Sequence, residues 1–119
     1  MEERLGEMES RFAEMIWDAA PVASGELVRR CTQAFDWKKS TTYTMLKRLG
    51  ARGLFVNDRG TVRVLVDRET YAAMRGRAIV EQDFGGSLPR FVAAFTGGGK
   101  LSREDAAELQ RLIDKSRED

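Results

Sequence analysis

Lysines, arginines and short hydroxyls crowd one stretch of this chain, and acids are scarce there. From Trp37 to Arg68 stand eight basic side chains (Lys38, Lys39, Lys47, Arg48, Arg52, Arg59, Arg63, Arg68) against two acidic ones, Asp58 and Asp67, a net of +6. Ser40, Thr41, Tyr43 and Thr44 are interleaved with the first of them. Cations neutralise phosphate, while hydroxyls and backbone N–H groups bond phosphate oxygens and base edges. The chemistry open to such a set is recognition of a polyanion. A solvated surface also accepts a block of like charge, and on charge alone neither reading wins. The overall net of +1 hides this asymmetry, because residues 1–36 carry a net of −4 and residues 69–119 a net of −1.

Other chemistries have little to work with. Among 119 residues there is no histidine and one cysteine, so the usual metal sites and general acid–base schemes lose their commonest residue. No intrachain disulfide is available, which fits a reducing, cytoplasmic setting. The acid pairs Glu2-Glu3 and Glu104-Asp105 read as a solvated tail and a first helical turn, where negative charge is favourable. Cys31 lies among the apolar positions of its segment with no basic partner, which reads as a small core residue rather than a reactive thiol. No apolar run approaches the roughly 18–20 residues that span a bilayer, and the acidic N-terminus lacks the basic start of a signal peptide. Neither an enzyme nor a membrane-inserted protein is expected, and no metal or cofactor.

The elements that must position the basic stretch follow from periodicity. Leu5, Met8, Phe12, Met15, Ile16 and Ala19 fall at helical spacing, and Pro21 ends that segment. Ser24 is an N-cap for a second amphipathic helix carrying Leu27, Val28, Cys31, Ala34 and Phe35. A third runs from after Trp37 to Arg52 and stops at Gly53. At 100° per residue, Thr42, Met45, Leu46 and Leu49 share one side of it, with Ser40, Thr44, Lys47 and Ala51 opposite. Tyr43 borders one edge, and Thr41, Arg48 and Arg52 the other. A side that combines cations with hydroxyls and holds no acid is not the mixed-sign pattern of an ordinary solvated helix face. Leu54–Val56 and Val62–Val66 flank Asn57-Asp58-Arg59-Gly60, the pattern of a hairpin. Trp37, beside Phe35, reads as a packing anchor.

From Glu69 onward the pattern is again helical. Tyr71, Met74, Ala78 and Phe84 belong to one helix. Ser87 caps a second that carries Leu88, Phe91, Val92 and Phe95, with Pro89 in its first turn. After the Gly97-Gly98-Gly99 joint, Ser102 opens a third with Ala106, Leu109, Leu112 and Ile113. These narrow apolar sets cannot close a core alone, which argues for self-association.

The expected architecture is mainly α with a small β-hairpin. Residues 1–68 form a winged helix-turn-helix domain, and residues 69–119 a C-terminal helical dimerisation arm. Three helices followed by a hairpin, with cations on the third helix and the hairpin, is the winged-helix order. Some such domains bind proteins instead, so a protein-interaction module without DNA binding is the alternative.

Particular words narrow this further: Glu14-Met-Ile-Trp17, Pro21-Val-Ala-Ser-Gly-Glu-Leu-Val28, and Asp36-Trp37 leading through Thr41, Thr44 and Leu46 to Arg48-Leu49. Phe84-Gly-Gly-Ser-Leu88 and Lys100-Leu-Ser-Arg-Glu-Asp105 complete the series. In that order the chain resembles the penicillinase-repressor family of transcription regulators over residues 5–115, a family that includes methicillin-resistance and copper-responsive repressors. The resemblance implies a homodimeric repressor on a pseudo-palindromic operator, controlling a resistance-type or related operon. It implies DNA contacts from Lys39, Ser40, Thr41, Tyr43, Thr44 and Lys47, with Arg48 either clamping phosphate or only bracing the domain, and Arg59 and Arg63 on the wing. It implies dimerisation through Tyr71, Met74, Phe84, Leu88, Phe91, Val92, Phe95, Leu109, Leu112 and Ile113. Relatives under a membrane sensor protease are cut at an Asn-Phe step; here that pair reads Ala94-Phe95. Tyr43 departs from the basic or polar residue expected there, and the second hairpin strand is short. Copper sensing needs paired thiolates, which a chain with only Cys31 lacks.

Overall fold

Phe12, Ala13 and Ile16 share one face of the first helix, α1 (Glu7–Ala19), and all three are buried in the computed structural model, which describes residues 4–117. Glu2 and Glu3 lie outside the described residues. Beyond Ala19 the chain turns extended at Ala20, as the residue before a proline must. There follows a two-residue strand, β1 (Val22–Ala23), which periodicity does not reveal because two residues have no period. The second helix, α2 (Ser24–Phe35), buries Leu27 and Cys31 and ends at Asp36 in the left-handed region, φ 56°. Ser24 is its first helical residue rather than its cap, a position held by Ala23.

The third helix, α3 (Lys39–Ala51), buries Thr42, Met45, Leu46 and Leu49, the side expected from the 100° spacing. Gly53 follows it at φ +81°, a conformation that costs other residues a Cβ clash. Strands β2 (Phe55–Asp58) and β3 (Thr61–Val64) then pair antiparallel, Phe55 opposite Val64 and Asp58 opposite Thr61. Arg59 and Gly60 both take positive φ, 52° and 93°, the conformation of the two-residue turn whose twist matches that of a hairpin. The Asn57 Oδ1 accepts from the Gly60 N–H at 2.9 Å and holds the turn closed. β1 adds to the free edge of β3 (Val22 opposite Val62), so the hairpin is part of a three-stranded sheet in the order β1-β3-β2. Val62, in the central strand, is fully buried.

Helix, strand, two helices and a hairpin make a winged helix. Its core is one cluster built from Phe12, Ile16, Leu27, Cys31, Leu49, Phe55 and Val62 with their neighbours. Trp37 is the anchor its position implied, tilted against Phe12 at 5.4 Å and Phe35 at 4.8 Å between ring centres. Burial pushes the Cys31 thiol above its ordinary pKa, the Thr42 hydroxyl opposing in part, which keeps it protonated.

Three helices follow: α4 (Arg68–Asp83), α5 (Leu88–Thr96) and α6 (Arg103–Arg117). The Ser87 Oγ accepts from the Arg90 N–H at 3.1 Å, and the Ser102 Oγ from the Asp105 N–H at 2.9 Å, so both expected caps form. The chain divides into two compact units, Met1–Arg77 and Ala78–Asp119. No residue of α4, α5 or α6 is buried. Among the described residues no helix is long and apolar enough to cross a membrane.

Candidate nucleic-acid interface

Because Thr42, Met45, Leu46 and Leu49, spaced three or four apart, share the side that faces the core, the residues about two positions from them on α3 face outward. Lys39, Ser40, Thr44 and Lys47 are accordingly exposed, and Thr41 is half-buried at the border. The side chains of Lys38, Lys39 and Lys47 have no hydrogen-bond or ion-pair partner among the described residues. Their charges are thus uncompensated among the described residues. Beside this face runs an open cleft of about 560 Å³ between α3 and β2, lined by Tyr43, Lys47, Ala51, Val56 and Asn57 among others.

The arginines are placed differently. Arg48 Nη1 reaches Glu9 Oε2 of α1 at 3.4 Å, which ties the third helix to the first. The Gly6 N–H, bonded to Glu9 Oε1 at 2.9 Å, is the main cause that holds the Glu9 carboxyl below its ordinary pKa; burial pushes the other way, and the Arg48 guanidinium adds a further pull downward. On the wing, Arg59 and Arg63 both direct Nε toward the Asp58 carboxylate at 3.4 Å. These contacts are exposed and individually weak, so an incoming phosphate can replace them. Arg68, counted with the basic stretch in sequence, is neutralised by Glu14 and Asp18 and lies outside this face.

Tyr43 is turned to structure. Its hydroxyl donates to the Ser24 Oγ at 3.0 Å, joining α3 to the start of α2. The backbone N–H of Ser24 in turn donates to Gly60 O at 2.8 Å, so helix start, third helix and wing tip are linked through one serine. That link was illegible in sequence, where Ser24 carried the signature of a cap. The Arg48–Glu9 pair, 39 positions apart, was equally so, whereas Asp58 beside Arg59 was a visible cue to the wing's internal pairing.

A model of the penicillinase repressor family matches residues 5–115, nearly the whole chain. The chain belongs to the penicillinase repressor family. Penicillinase repressors are DNA-binding transcriptional regulators rather than enzymes. Comparison with curated proteins returns no match. In this penicillinase-repressor winged helix the third helix and the hairpin therefore form the candidate contact surface for duplex DNA.

The residues expected to hold two copies together divide between the units. Tyr71 packs against the winged-helix core, its ring 5.9 Å from that of Trp17. Met74, Leu88, Val92, Phe95, Leu109, Leu112 and Ile113 are exposed, Phe95 to 68%. Phe84 and Phe91 are half-buried and meet edge-on at 5.4 Å. Between α5 and α6 an apolar cleft of about 310 Å³ is lined by Phe91, Val92, Phe95, Leu101 and Leu109, with Asp105 and Glu108 at its margin. Ala94 and Phe95 both lie exposed on α5.

Proposed function

We propose that the protein represses transcription as a homodimer on a pseudo-palindromic operator. Thr44 and Lys47 of each α3 enter the major groove, where a threonine offers its hydroxyl to a base or its methyl to thymine, and a lysine reaches guanine or phosphate. Lys39, Ser40 and Thr41 meet phosphates at the N-terminus of α3, where free N–H groups favour anions. Arg59 and Arg63 exchange Asp58 for the backbone beside the wing, and Arg48 and Tyr43 brace the reading helix from behind. The observation that supports this reading is the outward side of α3: exposed, without acids, and with lysines that have no partner among the described residues.

Self-association is supported by the exposed apolar side chains of α4, α5 and α6, which a lone chain leaves in water. Tethering two reading heads raises affinity by about 10²–10⁴ over one, so whatever separates the C-terminal helices releases the operator. A membrane sensor protease acting at the exposed Ala94–Phe95 step is one chemistry that would do so. A resistance-type operon is the target in keeping with the family.

The test is a titration of labelled duplex with the full chain at several salt concentrations, with the mass of the complex measured by sedimentation. Log K should fall linearly with log salt, with a slope of about −0.9 per phosphate neutralised, and the complex should contain two chains. A flat salt response, or no duplex binding at low salt, favours the protein-interaction alternative and overturns the repressor reading.

A further inference from the structure

The root of α4 is held by a network that no DNA contact accounts for. Arg68, the first residue of α4, reaches back some fifty positions to α1. Its Nη2 lies 2.8 Å from Asp18 Oδ1, and its Nε and Nη2 lie 2.8 and 2.7 Å from Glu14 Oε1. The same guanidinium sits over the Trp17 ring, 5.6 Å from its centre. Trp17 donates its Nε1–H to Val66 O at 2.9 Å, two residues before α4 begins, and packs edge-on against Phe55 of β2 at 5.5 Å. One turn into α4, Tyr71 packs tilted against that indole, 5.9 Å between ring centres. A planar, five-donor guanidinium is suited to hold two carboxylates and an aromatic face at once, and a lysine is not.

We propose that Arg68 is a positioning residue: it fixes the direction in which α4 leaves the winged helix and thereby sets the spacing between operator half-sites. This rests on the dimeric reading above. α4 runs unbroken from Arg68 to Asp83, and its first ten residues belong to the winged-helix unit. Its sixteen residues span about 24 Å at 1.5 Å per residue. A tilt of roughly 10° at the root displaces the far end of such a helix by about 4 Å, close to the roughly 3.4 Å rise of one base pair. In a dimer joined beyond α4, a loose root lets each reading head wander by about one base pair. A clamped root holds the two heads to one spacing.

The clamp is exposed, so its loss should leave the core intact. Arg68 is also outside the proposed contact surface, so binding to a single half-site should not depend on it. The experiment takes the half-site that the wild-type protein selects from a random duplex pool. It measures affinity for one copy, and for two copies at successive spacings, using the wild type, Arg68→Gln, Arg68→Lys and the double variant Glu14→Gln/Asp18→Asn. The wild type should prefer one spacing. Arg68→Gln and the double variant should keep the single-site affinity and lose about three- to tenfold of the preference over the neighbouring spacings, with Arg68→Lys intermediate. A merely structural role would lower the unfolding midpoint and every affinity together without broadening the spacing profile. An unchanged profile in a folded Arg68→Gln or double variant overturns the proposal and leaves the dimer standing. A wild type that binds two half-sites better than one but equally at all spacings overturns this inference alone, and one that gains nothing from a second half-site at any spacing overturns the dimer and this inference with it.

Discussion

The two units of the chain solve the burial problem in opposite ways. In the winged helix, Phe12, Ala13, Ile16, Leu27, Cys31, Leu49 and Val62 are fully buried, and three helices and a sheet close around them. In α5 and α6, nine and fifteen residues long, nothing is buried, and Leu88, Phe95 and Ile113 are more than half or half exposed. An apolar stripe of similar composition is spent internally in one unit and kept outward in the other. The lesson is that helical periodicity says which side of a helix wants cover, and only the number of neighbouring elements says whether the same chain provides it.

The sharpest way to break that comparison is a matched pair of truncations. Phe12→Ala should cost about 3–5 kcal/mol of winged-helix stability, through lost apolar contact and the cavity left behind. Phe95→Ala should leave that transition in place and instead weaken self-association by about tenfold or more. Both tryptophans, Trp17 and Trp37, lie in the winged-helix unit, so urea unfolding followed by their fluorescence reports that unit alone. Sedimentation reports the pairing. Equal effects of the two truncations on the fluorescence transition would erase the distinction.

Next in size is Lys47→Ala. Lys47 is exposed and has no partner among the described residues, so its loss should leave the unfolding midpoint unchanged while duplex binding weakens by about 1–3 kcal/mol if it reads a base. If it meets phosphate, the salt slope should drop by about one for each chain bound. Smaller again is Tyr43→Phe, which removes one bridge between α3 and α2 and should cost about 0.5–1.5 kcal/mol in urea unfolding. Loss of operator specificity in that variant with stability intact would move Tyr43 from brace to reader.

The smallest effect concerns acid. The Glu9 carboxyl is held below its ordinary value by the Gly6 N–H and then by Arg48. A depressed folded-state pKa adds stability that is fully present above the unfolded-state pKa and lost as pH falls through the folded one. Stability of the wild type should therefore decline on the acid side of the carboxylate range, and Glu9→Gln should flatten that decline. An identical acid limb in the variant would remove the pair from the account.

Much of this architecture was legible in the residues, and what was not has physical reasons. The sides of α3, the caps at Ser87 and Ser102 and the Arg59-Gly60 turn follow from local rules, because the interacting groups are within four positions of one another. β1 escaped because its two residues make sense only against β3, some forty positions on. Ser24 looked like a cap and serves instead as the acceptor for Tyr43. The basic stretch was read as one unit of charge. The fold sorts it into exposed lysines on α3 without partners among the described residues, wing arginines held by Asp58, and Arg68 withdrawn to α1.

The outward face of α3 is tested most directly by lysine footprinting. The full chain is treated with a limiting amine-acetylating reagent, with and without an excess of duplex DNA at low salt, and each lysine is quantified by mass spectrometry. Lys39 and Lys47 should lose most of their reactivity on adding duplex, while Lys100 and Lys115 keep theirs. Lys47 remaining as reactive as Lys115 on a saturated duplex would contradict the claim that this side of the third helix lies on DNA.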